Sequence, residues 1–191
     1  MKHHIQLNAI ESFARWLLDD VVAPLIPSIP DMECIAPSWG RGAHILDVPG
    51  ITQCNTYSCG ATASWSVISA MGWQIKFRDW LDLCHTCGMR PDQGMDQLQL
   101  GRAIKKVGGR LHSARYARFS QVETLIKNGA PVLFGQGADM FEDGDHWMYV
   151  YGFDRNRVYV GNFVSALRSK TTWSKTKFYE ELTPKEIYWV S

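Results

Sequence analysis

Four residues in this sequence have the types and spacing that acyl chemistry needs: Gln53, Cys59, His146 and Asn162. A thiolate attacks a carbonyl carbon, and an imidazole takes the thiol proton and later hands it to the leaving group. A third side chain accepts a hydrogen bond from the other ring nitrogen and fixes its tautomer. A donor beside the nucleophile steadies the oxyanion that develops on the carbonyl oxygen. Cys59 fits the nucleophile, His146 the base and Asn162 the orienting amide. Gln53, with the backbone N–H of Cys59, fits the oxyanion donor. Each also fits a duller role. Cys59 suits a buried structural cysteine, His146 a strand-edge histidine on a backbone carbonyl, Asn162 a strand end and Gln53 an exposed loop.

The elements that must position these residues are legible around them. Gln53 lies in a polar loop that runs into Cys59, and Cys59 opens a helix of small and apolar residues. Positions 61, 65 and 68, and again 63, 67 and 70, recur at helical spacing, so this helix is apolar on more than one side and central. Ser58 or Thr56 suits its start and Gly72 its end. A thiol in the first turn feels the positive end of the macrodipole, which favours the thiolate.

Residues 146–162 read as a β-hairpin with its turn at Asp154. Symmetry about that turn sets Val150 opposite Val158, Met148 opposite Val160 and His146 opposite Asn162, all on one face. Opposed residues hold their Cβ atoms about 4.5–5.5 Å apart. Packing this even-numbered face on the helix after Cys59 brings thiol, imidazole and amide together. One bulge in the hairpin would move Asn162 to the other face. Asp154 is a second candidate for the orienting residue, although the hairpin turn gives it a role of its own.

The rest of the chain supplies a frame. Residues 8–26 carry an amphipathic pattern ended by Pro24 or Pro27, and prolines punctuate the stretch up to Gly42. Residues 1–44 therefore read as an N-terminal helical extension and 45–191 as the main domain. Further helices are expected over 77–84, 95–107 and 119–127, with Leu98, Ala103, Ile104 and Val107 on the buried side of the second. Strands are expected over 110–117, 132–135, 146–153, 157–163 and 187–190. Helices first and antiparallel strands after is the α+β signature.

Composition narrows the function. A chain of 191 residues, 46% hydrophobic and 20% charged, fills one core. A net charge of +1 gives no electrostatic case for nucleic acid or an anionic membrane. No run approaches the ~20 apolar residues of a membrane span, and no signal-peptide core is expected. Five cysteines without an export signal point to the reducing cytoplasm.

Several stretches together resemble one family. Asp47-Val48-Pro49-Gly50-Ile51-Thr52-Gln53 with Tyr57-Ser58-Cys59-Gly60-Ala61 is similar to the opening block of the C39-like cysteine peptidases, relatives of the bacteriocin leader peptidases in the papain-like clan. Residues 94–109 resemble its middle helix. Gly129-Ala130-Pro131-Val132 resembles its glycine-x-proline-valine strand, Asp145-His146-Trp147 with Gly152-Phe153-Asp154 its histidine block, and Trp173-Ser174 with Phe178 its closing segment. The order is unbroken from about residue 45. The resemblance implies a compact papain-like fold, with a central helix carrying the nucleophile packed on an antiparallel β-sheet. It implies Cys59 as nucleophile, His146 as base, Asn162 as orienter and Gln53 in the oxyanion hole. Where the leader peptidases carry aspartate and proline, this chain has Asn162-Phe163, closer to papain's asparagine.

The expected activity is a cysteine peptidase that cuts a peptide or isopeptide bond of a peptide or protein substrate through an acyl-thioester. Capture of the same thioester by an amine or thiol makes an acyltransferase, and loss of the chemistry leaves a peptide-binding module. No cofactor is expected. Cys84 and Cys87 have the spacing of half a zinc site or of a redox pair. Cys34, Cys54, His44 and His112 offer no second compact pair, so both are read as helix-end cysteines and no metal is assigned. Trp39, Trp65, Trp73 and Trp147 suit either a cleft lining or the core.

Overall fold

The computed structural model describes residues 42–51, 57–91, 93–136, 146–161 and 170–191. The expected helix over 8–26 lies outside them, as do Gln53, Cys54 and Asn162. The strands are β1 (His44–Ile45), β2 (Leu111–Arg115), β3 (Val132–Gln136), β4 (His146–Phe153), β5 (Arg157–Gly161), β6 (Lys170–Ser174) and β7 (Leu182–Val190). The helices are α1 (Cys59–Ala70), α2 (Phe77–Thr86), α3 (Gln97–Lys106), α4 (Phe119–Lys127) and α5 (Lys175–Glu181).

The strands pair antiparallel in the order β2-β7-β3-β4-β5-β6, and β1 adds to the far end of β4. Gly152 permits that addition: a β-carbon there would stand 2.7 Å from the carbonyl oxygen of His44. The expected hairpin forms, but its register differs. Val150 faces Val160 and Tyr149 faces Gly161, and the ladder slips between Val150 and Gly152 so that Phe153 faces Val158. The cause is the turn. Asp154 accepts N–H bonds from Asn156 and Arg157 at 2.8 Å each, so the loop centres beyond residue 154 and opposing numbers move with it.

The slip sorts side chains between two layers. Tyr149, Tyr151 and Tyr159, with Leu133, Tyr188 and Val190, pack into the core that holds α1 and α3. Met148, Val150, Val158 and Val160, with Phe134, Trp173 and Ile187, pack instead with Val122, Ile126 and Phe178 of α4 and α5. The even-numbered face therefore does not meet the helix after Cys59. The face beneath α1 is the odd-numbered one, and the face-sharing route from His146 to Cys59 fails.

Helix α1 is central because nine of its twelve residues are buried, spread around its whole circumference. Its end is as expected: Gly72 takes φ +89°, and Trp73 N–H returns to the carbonyl of Ile68 at 3.1 Å. Helix α2 is stapled to it by Trp80, whose buried indole N–H lies 2.9 Å from the carbonyl of Ala61 and 3.1 Å from Ser64 Oγ. In α3 the buried stripe is Leu100, Ala103 and Ile104, whereas Leu98 is 70% exposed. Two residues from Leu100 on a helix is more than half a turn, which points Leu98 outward. The sequence pattern does not announce β6 and α5. Thr171, Thr172 and Trp173 nonetheless suit a strand, and Ser174 caps α5 by accepting from Lys177 N–H at 3.1 Å.

Candidate active site

Cys59 is the first residue of α1 and is 6% exposed. Ser58 stands at the N-cap position, but its side chain makes no capping hydrogen bond. No acidic residue lies in the first turn, so the positive end of the helix is not offset there by a carboxylate on α1. His146 is the first residue of β4 and is 5% exposed. Nucleophile and base candidates thus each open a regular element, and the helix or strand that continues from each anchors its backbone.

Their next neighbours touch. Gly60 comes directly after Cys59 and Trp147 directly after His146, and the indole lies against the bare Cα of Gly60. A β-carbon on Gly60 would stand 3.2 Å from Trp147 Cδ1 and 3.2 Å from Met95 Cβ. The Trp147 N–H donates to the carbonyl of Met95 at 2.7 Å. Three segments therefore meet at one point: the first turn of α1, the start of β4 and the loop that leads into α3. Trp65, Trp73 and Trp147 all pack on the core around α1, which answers the choice between cleft and core for these three, and Trp39 lies outside the described residues.

The loop into α3 is itself held. Gly94 takes φ +66° and passes close to the Tyr57 carbonyl, to which a β-carbon would come within 3.2 Å. Asp96 and Gln99 form a reciprocal capping box, with Gln99 N–H to Asp96 at 2.7 Å and Asp96 N–H to Gln99 at 2.9 Å. Gln99 also donates to the carbonyl of Gly88 at 2.8 Å, which ties the end of α2 to the start of α3.

Residue types and spacing do not single out Trp147 as a positioning candidate, nor Gln136 in any role. Gln136 is the direct partner of His146 across β3 and β4, and its placement depends on a pairing register that no local motif marks. Asn162 comes directly after Gly161, the last residue of β5, and β5 neighbours β4. Asp154, the alternative orienter, is committed to the turn. It also accepts the Tyr159 hydroxyl at 2.8 Å. Burial alone would raise its pKa, but the Asn156 and Arg157 N–H groups, the Tyr159 hydroxyl and the Arg157 charge together hold it below the usual carboxylate range.

Cys84 and Cys87 are both buried free thiols at the end of α2. Burial and the neighbouring Cys87 push the Cys84 thiol well up. Among the described residues, no group of three or more His, Cys, Asp and Glu side chains is placed to hold a metal. No helix among them is long and apolar enough to cross a membrane.

The family model described as Peptidase_C39 like matches residues 45–186. The chain belongs to that family. No curated protein matches it, but solved structures share the fold of this C39-like chain. One is a double glycine motif protease from an AMS/PCAT transporter, solved in complex with its leader peptide: 19% identity, TM-score 0.59, covering 76% of this chain and 92% of that one. Another is the peptidase domain of Streptococcus ComA, a bi-functional ABC transporter of a quorum-sensing pathway: 22% identity, TM-score 0.59, covering 74% and 96%. A third, from Bacillus anthracis and described as C39-like, gives 16% identity and TM-score 0.61 over 78% and 98%. The fold of this C39-like protein is thus the α+β papain-like fold of C39 peptidase domains, helices packed on an antiparallel sheet.

Proposed function

We propose that this member of the C39-like family is a cysteine peptidase that hydrolyses a peptide or isopeptide bond. The observation that carries the reading is the contact between Gly60 and Trp147, because Gly60 directly follows Cys59 at the start of α1 and Trp147 directly follows His146 at the start of β4. Cys59 attacks the carbonyl carbon of the scissile bond after losing its proton to His146. The C–N bond breaks as the imidazolium returns that proton to the leaving amine, and water then hydrolyses the thioester with His146 again as base. Asn162, the residue after Gly161 in the sequence, orients the imidazole, and Gln53 with the Cys59 N–H stabilises the oxyanion.

Residues 45–191 form the peptidase domain in this reading and residues 1–44 an extension of it. The substrate is a peptide or protein, as with the relative bound to its leader peptide. The buried thiols of Cys84 and Cys87 suit a reducing compartment such as the cytoplasm.

The test is turnover of a peptide pool read by mass spectrometry, with and without added amine. Wild type is expected to give hydrolysis products, and Cys59→Ala and His146→Ala to lose them while keeping the fold by circular dichroism. Full activity in Cys59→Ala would end the proposal. Products carrying the added amine would move it to acyl transfer.

A further inference from the structure

The same contact that supports the peptidase reading points to a residue with no part in the four-residue site. We propose that Trp147 is a positioning residue: by bonding to Met95 and seating on Gly60, its indole sets the spacing between Cys59 and His146. The inference rests on the reading of those two residues as nucleophile and base.

Strand β4 is held along its length by β3 and β5, but His146 is its first residue, where its described ladder partner is Gln136 on β3. A ladder fixes a strand within the sheet, and how closely its start approaches a helix on the sheet's face is set by side chains. Trp147 makes three contacts that do so, to α1, to the loop before α3 and to β7. Its N–H reaches the Met95 carbonyl at 2.7 Å, its edge meets Gly60, and its ring packs on Tyr188 with centroids 5.2 Å apart. Met95 precedes Asp96, whose capping box holds the start of α3, so the acceptor is not on a free loop. Gly60 is what allows the approach: its absent side chain leaves the space that Trp147 and Met95 fill. A single peptide bond separates Gly60 from Cys59, and another separates Trp147 from His146. Small displacements at such a site have large effects on proton transfer, which requires hydrogen-bond reach.

The structure also supplies a control. Trp65 lies on the same helix and its N–H donates to the carbonyl of Ile75 at 2.9 Å, with its ring edge-on to Phe77 at 5.7 Å. It is an indole of the same kind, farther along α1 from Cys59.

The experiment is the iodoacetamide labelling rate of Cys59 against pH in the full chain, with melting temperature measured in parallel. A thiol paired with an imidazole labels well below the pH range of a free thiol near ~8.5. Wild type is expected to show that low-pH limb and His146→Ala to lose it. Trp147→Phe, which keeps an aromatic ring but removes the N–H, is expected to move the limb up by about one pH unit, hence about tenfold slower labelling on the limb. Trp65→Phe should lower the melting temperature without moving the limb. Gly60→Ala, which keeps the indole and favours the helix, is the second variant should Trp147→Phe not fold, and should move the limb the same way. A limb present in wild type and lost in His146→Ala, but unmoved in Trp147→Phe and Gly60→Ala, overturns the positioning role alone. A wild-type profile of an ordinary thiol, insensitive to His146→Ala, overturns the pair and the positioning role with it.

Discussion

Tyr149 lies across Gly161, its direct partner on β5, so closely that a β-carbon on Gly161 would clash with the hydroxyl end of the ring. The glycine is there to let a large aromatic side chain cross the neighbouring strand, and it ends β5 immediately before Asn162. Gly161→Ala is expected to destabilise the protein by about 2–3 kcal/mol, because neither the ring nor the strand has room to yield. Tyr149→Ala alone opens a cavity. The double variant is expected to be more stable than the sum of the two predicts, since the methyl group occupies part of that space. Urea denaturation of the four proteins measures the coupling. Strict additivity would mean that Tyr149 does not hold Gly161 in place.

Trp80 supplies the second stability prediction. It is fully buried, and its N–H is shared between the Ala61 carbonyl and Ser64 Oγ on α1. Ser64 in turn donates to the Gly60 carbonyl at 2.6 Å, one residue from Cys59. Trp80→Phe should cost about 1–3 kcal/mol through the lost bond and the smaller ring. Chemical denaturation checks the loss. An unchanged midpoint would remove Trp80 as the staple between α1 and α2.

How far these features could be read from residues alone depends on how local their causes are. The start of α1 at Cys59, its end at Gly72 and the span of α4 over 119–127 are set by local periodicity and by a glycine with positive φ, so the sequence displays them. The hairpin is also local, but its register depends on how Asp154 uses its carboxylate, and symmetry about residue 154 misses that. The register then decides which face meets α1, which is why Tyr149 and Tyr151 rather than Met148 and Val150 lie beneath the helix. Candidate residues were legible by type. The Trp147 contact was not, because its partners Gly60 and Met95 are far away in sequence and small or apolar.

Asp154 carries a prediction in pH. Its carboxyl is held below the usual range by the N–H groups and hydroxyl that point at it. A depressed native pKa contributes stability that is present above the unfolded value of about 3.9 and is lost as pH falls through the native value. Asp154→Asn should therefore melt below wild type at pH 7, with the gap closing as pH is lowered through about 4. Melting temperatures across that range, from neutral to acid, test this. A gap that stays constant with pH would mean that the charge on Asp154 contributes nothing to the turn.

Tyr188 shows the opposite sign. Burial, then the adjacent Glu186 and the hydrogen bond to it, push its hydroxyl up to about 12. A raised native pKa contributes stability that is full below the unfolded value of about 10 and lost as pH rises toward 12. Tyrosinate absorbance should show tyrosines titrating only with unfolding, and Tyr188→Phe should reduce that late phase by one tyrosine's amplitude. An undiminished late amplitude in Tyr188→Phe would mean that Tyr188 titrates with the exposed tyrosines.

Cys59 and Cys84 are expected to separate by reactivity, and this bears on the mechanism. Cys84 has no exposed surface, and burial with Cys87 beside it raises its pKa, so the native thiol is both unreachable and protonated at pH 7. Cys59 is buried nearly as far but sits at the positive end of α1, where a thiolate is favoured. Brief iodoacetamide treatment at pH 7 should therefore carbamidomethylate Cys59 and leave Cys84 unmodified until the chain is unfolded, as read by peptide mass spectrometry. Cys84→Ala should cost about 1–2 kcal/mol by removing buried sulfur from the core, and should leave the labelling rate of Cys59 unchanged. Equal labelling of Cys59 and Cys84 in the folded protein would remove the electrostatic distinction on which the nucleophile assignment depends.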